Sequence, residues 1–200
     1  MLCSCKKGPT ETDGVIQKTS VDGKFSLFMA LIKKGNTPEN FKHTLCEINS
    51  EFIVYGCRLK GGQIVSLCVS RKFSPVEGYF VFRMGRKQVS VEIEYPENRI
   101  NTLSRFRLNS KMRGAGAQNS GMDTSHLFFE FEQNKYDLFH EYYGGFQDAE
   151  NSEPGSENAG IKIKDEDGQN IFADYCKEFS QINSLGLLRE LPFLTAGDFE

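Results

Sequence analysis

Three histidines, six cysteines and a few spaced carboxylates are the residues of this 200-residue chain most able to do chemistry, so their spacing is where its function should first be sought. His43, His126 and His140 are scattered without metal-ligand or catalytic spacing and are expected to be surface or hydrogen-bonded histidines. Glu92, Glu94, Glu130 and Glu132 could supply the two carboxylates of a glycosidase. Each of them, however, alternates with apolar residues, which predicts the solvated face of a sheet. Gly114, Gly116 and Gly121 lie in a run, Arg113 to Gly121, with no helix after it to present an N-terminal dipole to a phosphate, so the run is expected to be a mobile surface loop. Asp165-Glu166-Asp167-Gly168 lacks the spaced ligands and distal Glu of a calcium loop and reads as a hairpin turn. No Ser, His and Asp grouping stands in a catalytic context. The expectation is a protein that is not an enzyme, with no catalytic, cofactor-binding or metal-binding residues and no cofactor.

Cysteine is more informative. Cys46, Cys57, Cys68 and Cys176 form an even set allowing three pairings, and an oxidising compartment would turn them into two disulfides of about 2 to 4 kcal/mol each. Four buried thiols in a cytosolic protein are the alternative. Lys60-Gly61-Gly62 is a turn that would fold the flanks of Cys57 and Cys68 together, which makes those two the predicted pair. Cys3 and Cys5 stand apart, with no nearby His or Cys to complete a metal shell. Leu2-Cys3-Ser4-Cys5 resembles a bacterial lipobox, and the resemblance implies that Cys5 is a lipidated anchor.

The elements that must position these residues are mostly strands. Residues 1–14 carry Gly, Pro, Thr and charge without periodicity and read as a flexible tether, leaving 15–200 as one β domain. Strand-forming runs then alternate with turn signals: Lys24 to Lys33, Phe52 to Leu59, Gln63 to Ser70, Gly78 to Met84 and Lys87 to Tyr95, with Pro96 ending the last. Leu103 to Leu108, Ser125 to Glu132, Tyr136 to Tyr143, Ile161 to Lys164 and Gln169 to Tyr175 follow. Gly144 to Ala159 is polar and acidic and reads as a second long loop. From Cys176 to Leu191, Phe179, Ile182, Leu185 and Leu188 have helix-like spacing, limited by Gly186 and Pro192 to a short helix. The fold class expected is all-β, an antiparallel sandwich or barrel of about nine or ten strands with a short C-terminal helix.

Composition narrows the partners. Seventeen Phe and seven Tyr without Trp suit packed pleated sheets, and a net charge of −3 gives no global field to hold nucleic acid. No apolar run is long enough to span a bilayer, so any membrane association is expected through the lipid anchor alone. Ile64 to Ser70, Gly78 to Gly85 and Val91 to Pro96 resemble a group of small, mostly uncharacterised exported proteins of Gram-negative bacteria with the order SLCxS, GYxx(Y/F)RxG and ExEYP. That resemblance implies export and an all-β, periplasmic or lipoprotein-like protein, and carries over no catalytic residue. The resulting expectation is a lipid-anchored periplasmic protein-binding module, an immunity or inhibitor protein against an envelope-acting toxin or hydrolase. The acidic residues Asp148, Glu150, Glu153 and Glu157 would steer a basic partner. The other expectation is an envelope lipoprotein that holds glycan or lipid through Tyr142, Tyr143 and Phe146.

Overall fold

Phe25, Phe28, Met29 and Ile32 recur at intervals of three and four, the spacing of a single helical stripe. In the computed structural model of the chain these four are the buried side of helix α1 (Thr12–Gly35). The strand predicted over Lys24 to Lys33 is therefore a helix. Leu27 and Leu31, which an alternating strand would bury with Phe25 and Met29, are 51% and 40% exposed. The structure describes residues 12–74, 76–87, 90–115, 120–147, 152–183 and 185–191, and only the backbone over 12–22, 146–147, 152–153 and 178–183. Cys3, Cys5, Asp148 and Glu150 lie outside the described residues.

After a 3-10 turn, Asn40–His43, the chain forms β1 (Glu51–Leu59), β2 (Ile64–Ser70), β3 (Phe80–Arg86) and β4 (Ser90–Tyr95). A second 3-10 turn, Thr102–Arg105, leads to β5 (Arg107–Arg113), β6 (Met122–Phe131) and β7 (Asn134–Tyr143). The segment expected as one acidic loop is divided between a small hairpin, β8 (Phe146–Gln147) with β9 (Ser152–Glu153), and the start of β10 (Ser156–Lys164). The chain continues through β11 (Asn170–Asn183) to a last 3-10 turn, Leu185–Glu190. Nine strands make one open antiparallel sheet in the order β4-β3-β2-β1-β11-β10-β7-β6-β5.

β11 explains how one sheet makes two layers. Its first half pairs with β10, Gly160 opposite Tyr175, and its second half pairs with β1, Cys176 opposite Leu59 and Asn183 opposite Tyr55. The helix expected from Cys176 is thus strand as far as Asn183, because β1 offers a second ladder whose hydrogen bonds outweigh a weak local preference. Only Leu185–Glu190 is helical. On either side of β11 the sheet folds over, and the inner faces meet at Phe82 and Phe129, with ring centroids 4.7 Å apart, and at Tyr95 stacked on Phe129 at 4.8 Å. Phe28, Ile32, Leu185 and Leu188, each at most 1% exposed, complete this core from α1 and the last turn.

The disulfides are Cys46–Cys68 and Cys57–Cys176, not Cys57–Cys68. Register gives the reason: Cys57 is opposite Val65 and faces the main core, whereas Cys68 is opposite Ile53 and faces the other side of the sheet. Cys68 is three positions beyond Val65 on β2, and an odd step along a strand reverses the side chain.

Candidate functional site

On the outer side of the first layer, the register places Arg83 of β3 opposite Glu94 of β4 and Ser66 of β2. This half of the outer face is covered by residues 36–50, which add Phe41 and Cys46 to Ile53, Cys68 and Val81 in a second, smaller core. The cover is fixed at both ends. Asn36 donates to the Ile53 carbonyl at 3.0 Å and accepts from its N–H at 2.5 Å, beside an irregularity in the β1–β2 ladder, and Cys46 is bonded to Cys68.

Within that cover lies a closed ring of charged hydrogen bonds. Arg83 Nη2 donates to Glu51 Oε1 at 2.9 Å, and Tyr79 donates to the same oxygen at 3.0 Å. Arg99 Nη1 donates to the Tyr79 hydroxyl at 3.0 Å and Nη2 to Glu94 Oε1 at 3.0 Å, and Arg83 Nε closes the ring on Glu94 Oε2 at 2.7 Å. Glu51 is fully buried and Arg83 is 2% exposed. Arg83 also donates to the Leu45 carbonyl, and the Glu47 N–H donates to Glu51, so the ring satisfies backbone groups of the covering segment.

The same contacts move proton affinities. Burial lowers that of Arg83, but the hydrogen bonds and charges of Glu51 and Glu94 outweigh it and hold the guanidinium more firmly charged than usual. Burial raises the Glu94 carboxyl, while the hydrogen bonds and charges of Arg83 and Arg99 together bring it below its ordinary value. The Tyr79 hydroxyl is pushed up by burial first and by the Glu51 charge second.

The partly exposed members of the ring are Glu94 and, at the loop end, Tyr79 and Arg99. Tyr79 and Arg99 form the floor of a cleft of about 480 Å³, rimmed by Ser50, Ser70, Arg71 and Lys72. Glu77, Gly78 and Arg99 are shared with an adjoining cleft of about 600 Å³ lined by Phe73, Val76, Ile100 and Leu103. Gly78 has φ +100°, and a Cβ there would meet the Phe73 Cα at 2.7 Å, so the turn between the clefts requires glycine. Arg71 lies over the Phe52 ring at 4.3 Å and donates to the Ile48 carbonyl at 2.8 Å. Val76 is 95% and Ile100 is 70% exposed, two aliphatic side chains held out on neighbouring loops. The chemistry on offer is that of a binding site: cationic and hydroxyl donors beside apolar surface on a rigid base.

Other groupings were brought together that the sequence did not suggest. Cys46, Glu51 and Cys68 place ligand atoms within 4.8 Å of one another, but both sulfurs are in a disulfide and lack the thiolate a metal needs. Ser125 lies opposite His140 in the β6–β7 register, and His140 is 2.7 Å from Glu157. Ser125 is 1% exposed, which closes its hydroxyl to a substrate. Glu157 therefore sits in β10 against His140. Glu153 is in β9, and Tyr142 and Tyr143 end β7 at 44% and 40% exposure. Glu94, read from its alternation as a solvated sheet carboxylate, is instead a member of the ring.

Fold and site together define an open, disulfide-braced antiparallel sheet wrapped on a helix, with a rigidly based cleft at one loop end. No protein-family model, curated protein or solved structure matches the chain.

Proposed function

We propose that this chain is an exported binding protein, not an enzyme, that grips another protein at the loop-end cleft. The observation that carries this reading is the pair Val76 and Ile100, exposed on adjacent loops around a cleft that includes Arg99, a residue held by the Arg83 ring through Glu94. Exposed aliphatic residues on a preorganised base are what a partner's anchor side chain can bury at little entropic cost. Arg71, Lys72 and Arg99 line the adjoining cleft, with Glu77 shared between the two, and their excess of positive charge favours a partner segment that pairs an apolar anchor with a carboxylate. Two disulfides support an oxidising compartment, and the likeness to exported Gram-negative β proteins and the lipobox-like Leu2 to Cys5 support the periplasm and a lipid anchor on Cys5. Within this reading the protein acts as an immunity or inhibitor protein against an envelope-acting toxin or hydrolase.

The test is capture from envelope extract with the full chain, beside the Val76→Asp/Ile100→Asp variant, which alters only exposed side chains. A stoichiometric protein partner retained by the wild type and lost by the variant is expected. Absence of such a partner, or retention unchanged by the variant, refutes the reading.

A further inference from the structure

Between helix α1 and the segment that leaves β2, a groove of about 580 Å³ runs beside the loop-end cleft. One wall is the flank of α1 from Phe25 to Lys33, about 12 Å at 1.5 Å per residue, and the other is the stretch from Arg71 to Ser74. Its floor is apolar: Phe25 and Phe73, with ring centroids 4.9 Å apart, and Met29. Its rim carries three cations, Lys33, Arg71 and Lys72, and none of its described lining residues is acidic. Arg71 is held by the Phe52 ring and the Ile48 carbonyl, not by a carboxylate. The Lys33 and Lys72 ammonium groups have no ion-pair or hydrogen-bond partner among the described residues. Glu77 lines the two loop-end clefts but not this groove.

We infer that this groove holds a single-chain amphiphile with a carboxylate head, the chemistry of a fatty acid. Three cations without a carboxylate partner select a negative head group. The apolar floor selects a hydrocarbon tail over a compact anion, which would leave Phe25, Met29 and Phe73 uncovered. The helical wall argues against a peptide. From Phe25 to Ala30 the main-chain groups of α1 are bonded within the helix, so a peptide backbone lying there would lose its hydrogen bonds to water and gain none. A hydrocarbon tail has none to lose. Ser26 and Ala30 line this groove and neither loop-end cleft, so this assignment and the protein-partner reading can fail separately.

Calorimetric titration of the full chain with dodecanoate, kept below its critical micelle concentration, tests this. Saturable binding of one dodecanoate per chain is expected, with dodecyltrimethylammonium, the same tail under the opposite charge, roughly tenfold weaker or worse. Acetate, the head without the tail, should not bind. Lys33→Gln/Lys72→Gln should weaken dodecanoate binding roughly fivefold. Ala30→Trp, at an exposed position, should fill the groove and abolish binding. Ser26→Trp, exposed on the same wall, should do the same, which keeps the test valid if one variant misfolds. Absence of dodecanoate binding, equal binding of the cationic amphiphile, or binding unchanged in both tryptophan variants overturns the inference. So does acetate binding as tightly as dodecanoate, which would leave the tail without a role.

Discussion

Replacing Glu51 by Gln keeps the shape of the side chain and removes one charge from the buried ring. Arg83 is 2% exposed and loses its two charge-assisted bonds to Glu51, at 2.6 and 2.9 Å, retaining the half-exposed Glu94 at 2.7 Å and the exposed Glu47 at 3.6 Å. Leaving a buried charge without its main partner costs about 3 to 5 kcal/mol, a large part of the 5 to 15 kcal/mol typical of a whole domain. Arg83→Met should cost about as much, by stranding Glu51 instead. The double variant strands neither charge and should be less destabilised than the sum of the two by about 2 kcal/mol or more. Urea unfolding of the four proteins with intact disulfides, at equal m-values, measures each quantity. Additivity of the single variants within about 0.5 kcal/mol, or a Glu51→Gln cost below about 1 kcal/mol, would refute the idea that the ring is one coupled unit.

Three further outcomes follow from the fold. Opening Cys57–Cys176 by a double Cys→Ser substitution should cost about 5 kcal/mol and opening Cys46–Cys68 about 3, because sequence separations of 119 and 22 release loops of very different length; urea midpoints give the order. Phe28→Ala empties a fully buried site between α1 and the sheet and should cost about 3 to 5 kcal/mol by thermal or urea unfolding. The Glu94 carboxyl titrates lower folded than unfolded, so its contribution is present above its unfolded value, about 4.3, and is lost as the pH falls through the folded value. Wild-type stability should therefore decline below about pH 4 more steeply than that of Glu94→Gln, as followed by denaturation across that range.

What the sequence discloses is whatever is local in it. The Gly61-Gly62 turn between β1 and β2 and the alternation of Leu127, Phe129 and Phe131 in β6 are written in neighbouring residues, and both elements are where they were expected. Helix α1 reads as a strand over Lys24 to Lys33 because Asp22-Gly23 looks like a turn, although the three- and four-residue spacing of Phe25, Phe28, Met29 and Ile32 is that of a helical stripe. The end of β11 was not legible, because Phe179, Ile182 and Leu185 have helical spacing and the strand exists only through its pairing with β1. The disulfides needed the face of each cysteine, which register supplies and spacing does not. The ring lay deeper still: Glu51 and Arg83 are 32 residues apart, with nothing near either to mark it.

The Cys57–Cys176 bond sits at the seam where β11 passes from one sheet layer to the other, and it encloses residues 58–175 in a covalent loop. The connections from β5 to β6 and from β7 to β10 both start and end inside that loop, and among their described residues Gly114 and Ala115 on the first and Gly145, Pro154 and Gly155 on the second are exposed. A protease that cuts either connection therefore creates a new pair of ends without releasing a fragment. In an environment rich in hydrolases, this chain can be nicked there and keep all its pieces tethered, and the cut is visible only after reduction.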